Sequence, residues 1–274
     1  MAVAMTGHRT FTPLALLLAA CSPGRLDVVG PAPNSLSQDM VAHWPCDEGT
    51  GTTLGDFPSH RYDGTILGAT WLLDSGHAGF GGALHFDSGN SVFVGSSSFQ
   101  PASDSWSVSL WVRPAAWASP SPSPNNGDTN NGDTYVTLVS TEIVYLGGWE
   151  MNVRFPSLER TWRYHFAYPS PVDAGSIHYQ WDEANGFDVD LWTHLVAVVD
   201  SDAMQMLFYK NGVLSTKKAI TDLIRPGSTL YLGTWSDGGR YFVGDLDDIV
   251  IYGRALTPTE ISALYAQPAP SNLR

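Results

Sequence analysis

From about residue 40 onward the chain is built of short runs in which apolar and polar positions alternate. A period of two places successive side chains on opposite faces of an extended strand. In residues 149–155, Trp149, Met151, Val153 and Phe155 fall on one face, and Glu150, Asn152 and Arg154 on the other. Residues 162–168 repeat the pattern, with Trp162, Tyr164, Phe166 and Tyr168 opposed to Arg163 and His165. In 177–182, Ile177, Tyr179 and Trp181 oppose His178, Gln180 and Asp182. The pattern predicts strands at 41–46, 64–72, 83–94, 106–113, 135–145, 149–155, 161–168, 176–181, 191–199, 204–210, 213–218, 229–234 and 240–252. So many short strands, divided by Gly- and Pro-rich turns, suit two packed antiparallel sheets.

One helix is expected, at the end. Phe242, Gly244, Leu246 and Asp248 alternate with Val243, Asp245, Asp247 and Ile249, and then Thr257-Pro258-Thr259-Glu260 opens a helix. Thr257 can cap it, Pro258 suits the first helical position and Glu260 can close a capping box. Ile261 and Leu264 give it a small apolar face.

The first forty residues follow different rules. His8 and Arg9 precede an apolar run, Leu14 to Ala20, that is too short to cross a bilayer. It ends in Leu18-Ala19-Ala20-Cys21, which resembles a bacterial lipobox. Residues 1–20 are then a lipoprotein signal peptide, and Cys21 carries the lipid. Ser22 at the next position points to the outer membrane by analogy with Gram-negative sorting. Residues 21–39 form a Pro- and Ser-rich tether of roughly 25 Å reach. With Cys21 lipidated, Cys46 has no intrachain partner and is expected to be a buried small hydrophobe. Residues 40–267 form the domain and 268–274 a tail. An insertion at about 115–134 carries Ser-Pro repeats and the doublet Asn-Asn-Gly-Asp-Thr, twice, and is expected to be disordered. A formal charge of −13 argues against electrostatic binding of nucleic acid.

Gly244-Asp245-Leu246-Asp247-Asp248-Ile249-Val250-Ile251-Tyr252, followed by Arg254-Ala255-Leu256-Thr257 and Glu260-Ile261, closely resembles the closing motif of laminin G-like jelly-roll domains. These belong to the concanavalin A-like lectin/glucanase superfamily. Further blocks fall in that family's order: Trp44 to Gly51, Gly82 to Asp87, Ser107 to Val112, Trp192 to Val196, and Tyr209 to Gly212. The resemblance implies an all-β, two-sheet antiparallel jelly-roll sandwich with one short C-terminal helix. It also implies one structural calcium, held here by Asp56 and Asp247, with Asp63 a second candidate in the same loop. The loop Asp56-Phe57-Pro58-Ser59-His60-Arg61 departs from the family's small polar pattern. Trp44, Trp111 and Trp192 match core positions, and Trp106 reads as core too. Trp117 and Trp235 are either ligand platforms or loop anchors.

Catalysis finds little support in the motifs. Glucanases of this superfamily set Glu-x-Asp-x-x-Glu or a close variant on one strand, and no such run occurs. Asp245 and Asp247 share a face, but Ile249 follows them on it. No nucleophile elbow, zincin motif or zinc-spaced Cys/His cluster is present. The best binding surface is a polar sheet face of Glu150, Asn152, Arg154, Arg163, His165, His178 and Gln180. The expected function is therefore non-catalytic binding of a glycan or an envelope protein at a bacterial surface. A glycoside hydrolase or lyase, or a purely structural or adhesive lipoprotein, is the alternative.

Overall fold

The computed structural model describes residues 36–77, 81–95, 103–115, 134–141, 148–155, 163–173, 176–184, 188–224, 229–236 and 238–266. The expected signal peptide, most of the expected tether, residues 116–133 of the insertion with Trp117, and the tail lie outside them. The strands are β1 (Met40–Trp44), β2 (Thr53–Leu54), β3 (Gly64–Leu67), β4 (Thr70–Leu72), β5 (Ala83–Phe86), β6 (Ser91–Val94), β7 (Trp106–Pro114) and β8 (Thr134–Thr141). They continue as β9 (Glu150–Phe155), β10 (Arg163–Asp173), β11 (Ser176–Ala184), β12 (Thr193–Asp200), β13 (Gln205–Lys210), β14 (Val213–Ala219), β15 (Leu230–Leu232) and β16 (Gly244–Tyr252). One helix, α1 (Pro258–Ala266), ends the described chain. It is too short to cross a membrane, and no other described helix is long and apolar enough to do so.

Two antiparallel sheets result. The first runs β14-β13-β12-β7-β16-β5-β4, and β1 also pairs with β16. The second runs β11-β10-β9-β8-β15-β6-β3-β2. Two expected long strands break where the chain changes sheet. The run 64–72 breaks at Gly68, whose φ of +90 fits a corner, so β3 joins the second sheet and β4 the first. The run 83–94 breaks at the turn closed by the Asn90 N–H on the Asp87 carbonyl, 3.0 Å apart. Thr134, placed at the edge of the insertion by sequence, opens β8.

The sandwich core lies between the inner faces. Trp106, Trp149 and Phe166 pack ring to ring, with centroids 5.1–6.2 Å apart. Buried Tyr and Trp bodies with a bonded polar tip suit this position: Trp44 Nε1 donates to the Tyr62 carbonyl at 2.9 Å and Trp106 Nε1 to the Ile224 carbonyl at 2.8 Å. Cys46 sits in this core fully buried, and burial pushes its thiol pKa up, helped by Asp247, Glu48, Asp248 and Asp47. That environment makes it inert, as expected.

A second apolar cluster lies outside the first sheet. There α1 lays Ile261 on Val196, Val198, Tyr209, Val250 and Tyr252. The capping box forms as predicted: Glu260 accepts the Thr257 N–H at 2.9 Å, and the Glu260 N–H donates to Thr257 Oγ1 at 3.3 Å. Arg254 adds a two-pronged bond to Glu260 at 2.8 and 2.9 Å. Tyr265 lies over the turn after β13, where a Cβ on Gly212 (φ +74) would approach its ring to 3.1 Å. The Tyr-Lys-Asn-Gly block is thus the seat of the helix.

Candidate binding face and the acidic closing ribbon

The register of the second sheet defines a continuous row on its outer face. Thr65 pairs with Phe93, Phe93 with Tyr231, Tyr231 with Ser140, Ser140 with Glu150, Glu150 with Ala167 and Ala167 with Trp181. Val92, Val94, Leu230 and Leu232 are buried in the core, so Phe93 and Tyr231 stand on the outside, half-buried. Their ring centroids are 5.2 Å apart at an interplanar angle of 46°.

The middle of this face is roofed. The chain between β15 and β16 crosses it, tied by the Thr137 N–H to the Arg240 carbonyl (2.7 Å) and the Ser140 hydroxyl to the Thr234 carbonyl (3.0 Å). Arg240 is the rivet. Its Nη1 lies 3.1 Å from both Glu150 oxygens, and its guanidinium sits 4.5 Å from the Trp235 ring centroid and 5.3 Å from that of Tyr135. Trp235 is therefore a loop anchor. Arg154 also lies over Tyr135, at 6.0 Å.

The polar patch expected from sequence is only partly assembled. Glu150 and Asn152 do share the outer face with Arg154, but both are buried under the roof. Arg163 pairs with Arg154 and His165 with Asn152, which puts those two positions on the same face. His178 and Gln180 are not brought to it. They pair with Ser170 and Tyr168, in phase with Tyr164 and Phe166 of the buried face, while Tyr179 and Trp181 take the outer positions. Alternation defines two faces of a strand, and only register decides which one joins its neighbour's. The side chains of Arg163, His165, His178 and Gln180 lie outside those described. Phe93, Tyr231, Tyr135 and Arg240 were not nominated by sequence, although an aromatic between two core valines or leucines marks a strand apolar on both faces.

On the opposite side of the molecule, the closing ribbon meets histidines. β16 is flanked along one edge by β5 for its first half and β1 for its second. At the junction its register slips between Asp247 and Val250, and Asp248 takes a φ of +47, which Asp tolerates better than most residues. Each acid of the motif has an imidazole. Asp245 faces His85 Nδ1 at 2.6 Å and also accepts from Arg113 Nε at 2.7 Å. Asp247 Oδ2 accepts the His77 N–H at 2.8 Å and faces its Nδ1 at 2.9 Å. Asp248 Oδ1 faces His43 Nε2 at 2.8 Å. Burial raises the Asp247 pKa, and the His77 bonds only partly offset this.

These bonds bear on the calcium expectation. Asp56 is almost fully buried; its Oδ1 accepts the His43 N–H at 2.9 Å, and its Oδ2 accepts the Tyr62 N–H at 3.1 Å and the Ser59 hydroxyl. Asp63 accepts the Asp56 N–H at 2.8 Å and faces His60 Nδ1 at 3.2 Å. Calcium needs six to eight oxygens converging on one point. Here N–H and O–H donors face both oxygens of Asp56, Oδ1 of Asp63 and Oδ2 of Asp247, and no group of three or more His, Cys, Asp or Glu among the described residues is arranged to hold a metal. Asp56 and Asp63 organise their own loop, and Asp247 fixes the loop carrying His77.

Trp111 is buried, but by stacking outside the sandwich: His77 lies 4.2 Å from it and Tyr265 5.7 Å, both nearly parallel. Trp192 is half-buried under the Arg113 guanidinium, 4.9 Å away. His194 is clamped by Asn211, which accepts its N–H at 2.9 Å, and its Nε2 meets Ser109 Oγ at 2.8 Å. Burial, with His77 nearby, lowers its pKa to about 3. A histidine so weakly basic is a poor general base, and Ser109 is almost fully buried beside it, so this pair is no nucleophilic dyad.

A family model described as the concanavalin A-like lectin/glucanases superfamily, of laminin G type, matches residues 86–262, more than half of the chain. Among solved structures, domain 4 of AbnA, a GH43 extracellular arabinanase from Geobacillus stearothermophilus, in complex with arabinotriose, superposes with a TM-score of 0.57 at 20% identity, covering 84% of this chain and 98% of that one. The binding domain of Paraclostridial Mosquitocidal Protein 1 gives 0.59 at 16% identity, over 84% of this chain and 52% of that chain. The botulinum neurotoxin serotype D ligand binding domain in complex with N-acetylneuraminic acid gives 0.56 at 15%, over 83% and 50%. A curated relative, adhesion G-protein coupled receptor V1 of Danio rerio, is 24% identical over 104 residues; the match covers 37% of this chain and about 2% of the receptor's length. The structural likenesses share the fold, and with the family match and the closing motif they show that this chain belongs to the laminin G-like domains of the concanavalin A-like lectin/glucanases superfamily.

Proposed function

We propose that this chain is a non-catalytic glycan-binding module, held at a bacterial surface by lipid on Cys21. The observation that carries the binding reading is the half-buried Phe93–Tyr231 pair on the outer face of the second sheet, next to the roof where Arg240 and Arg154 approach Tyr135. Aromatic planes give a sugar's apolar ring face something to pack on, and the half-buried Arg154 guanidinium supplies hydrogen-bond donors for its hydroxyls. The complexes of related folds with arabinotriose and with N-acetylneuraminic acid lend it support. The carboxylates that share a face on β16 favour binding over hydrolysis, because Asp245 is held by Arg113 and His85, and Asp247 by His77. A retaining pair needs one free acid and one free nucleophile about 5 Å apart.

A glycan array with the full chain tests the reading, with Tyr231→Ala beside it. Binding that the substitution lowers at least tenfold supports it. An empty array, or hydrolysis of a bound glycan, counts against it. For the anchor, Cys21→Ser should move the protein from the membrane fraction to the soluble one, and retention in the membrane would reject lipidation.

A further inference from the structure

The outer face of the second sheet has a basic end that sugar packing on Phe93 and Tyr231 does not account for. Near the start of β8, Tyr135 is half-buried, with the guanidinium groups of Arg240 and Arg154 at 5.3 and 6.0 Å from its ring centroid. Tyr135 pairs with Arg154 across β8 and β9, and Arg154 pairs with Arg163 across β9 and β10. Two arginines are therefore placed directly opposite each other on one face, where the Cβ atoms of strand partners lie roughly 5 Å apart. Like charges so placed destabilise a sheet. In a chain with 14 Lys and Arg against 27 Asp and Glu, an acidic neighbour is the commoner chance outcome.

The acids of these rows are fewer than the arginines. Glu150 is bound by the Arg240 guanidinium under the roof, at 3.1 Å to both oxygens. Glu183 is placed opposite His165, in the next row along the face from the arginine pair. Proteins keep a locally unfavourable arrangement where function needs it, and a bound anion would offset this one. A guanidinium holds its N–H donors in a fork that fits two oxygens of a carboxylate or sulfate. A neutral sugar leaves the repulsion in place, and a cation adds to it. We propose that this end of the face binds the anionic group, carboxylate or sulfate, of an acidic glycan, with Arg154 and Arg163 as the residues that select for it. The proposal rests on the glycan reading above and names the class of glycan. Tyr135 lies five positions along β8 from Ser140, the strand partner of Tyr231, which is roughly 15 Å. The charged unit and the unit packed on Phe93 and Tyr231 are therefore different residues of one oligosaccharide.

An array of neutral, carboxylated and sulfated glycans on shared backbones, read with the full chain, tests it. The acidic members should bind at least tenfold more tightly than their neutral counterparts. The preference should shrink as potassium chloride rises from about 0.05 to about 0.5 M, because salt screens exposed charges. Preference for the carboxylated members alone identifies the carboxylate as the group bound, and equal preference for the sulfated ones identifies a general anion site. Arg154→Gln and Arg163→Gln should each remove the preference and leave neutral glycans bound at parental strength. Neutral glycans bound as tightly as acidic ones by the parent chain would overturn the proposal and leave the glycan reading standing. So would an acidic preference that survives both substitutions, or, should a variant fail to fold, one that salt leaves unchanged in the parent. An empty array would reject the glycan reading and this proposal with it.

Discussion

Arg240 and Glu150 make the roof over the binding face, and removing one of them is the most informative single change. Both are nearly excluded from water, with side-chain exposures of 9% and 5%, and the guanidinium reaches both carboxylate oxygens at 3.1 Å. Arg240→Met leaves a carboxylate buried opposite a thioether, and breaking such a pair from one side costs about 3–5 kcal/mol. Loss of the guanidinium from between Trp235 and Tyr135 adds about 0.5–2 kcal/mol. For a domain of this size each kcal/mol lowers the melting temperature by roughly 2–4 °C, so a fall on the order of 10 °C is expected. Glu150→Leu should behave alike. The double variant should lie within about 1–2 kcal/mol of the parent, because a matched apolar pair removes the desolvation penalty along with the attraction. Urea unfolding of the four proteins closes the cycle, and the coupling, the two single costs less that of the double variant, is expected to exceed about 4 kcal/mol. Single variants that each cost under about 1 kcal/mol, and that add, would refute the idea that this ion pair pins the roof.

Two further outcomes follow from the buried histidines and acids. His194 keeps its ring neutral in the folded chain down to a pKa of about 3, while the unfolded chain takes up a proton near pH 6.5. Stability should therefore fall by about 1.4 kcal/mol per pH unit as pH drops below roughly 6, and His194→Gln should remove that slope, read by urea unfolding between pH 7 and pH 4; an unchanged slope would contradict it. Because donors already face both Asp56 oxygens and one oxygen each of Asp63 and Asp247, calcium should leave the melting temperature where it is. A rise that Asp247→Asn abolishes would show that the family's metal site forms after all.

The parts of this fold that local chemistry decides were legible in the sequence. Alternation in residues 149–155 gave the buried Trp149, Met151 and Val153, and the Thr257–Glu260 capping box placed the helix start. What local pattern does not contain is the partner. The break of 83–94 into β5 and β6 depends on the two halves joining different sheets. The misplacement of His178 and Gln180 came from register, which one residue of slip inverts. The imidazoles of the Asp-Leu-Asp-Asp ribbon, His85, His77 and His43, lie 160, 170 and 205 positions away in sequence. No spacing rule links acids and bases that far apart, and a resemblance that suggested calcium could not show that histidines stand beside them. Glu150 and Asn152 read as part of an open binding face because their cover arrives with Thr234 and Arg240, beyond several intervening strands.

The proposed ligand site is the outer face of the second sheet. The measurement that tests it most directly is the affinity of the full chain for the strongest glycan found on an array, compared with that of Phe93→Ala and Tyr231→Ala. A loss of tenfold or more in both, which is about 1.4 kcal/mol, with unchanged melting temperature, is the predicted result. Glycan binding that both folded variants retain at parental strength would place the site elsewhere and contradict the account.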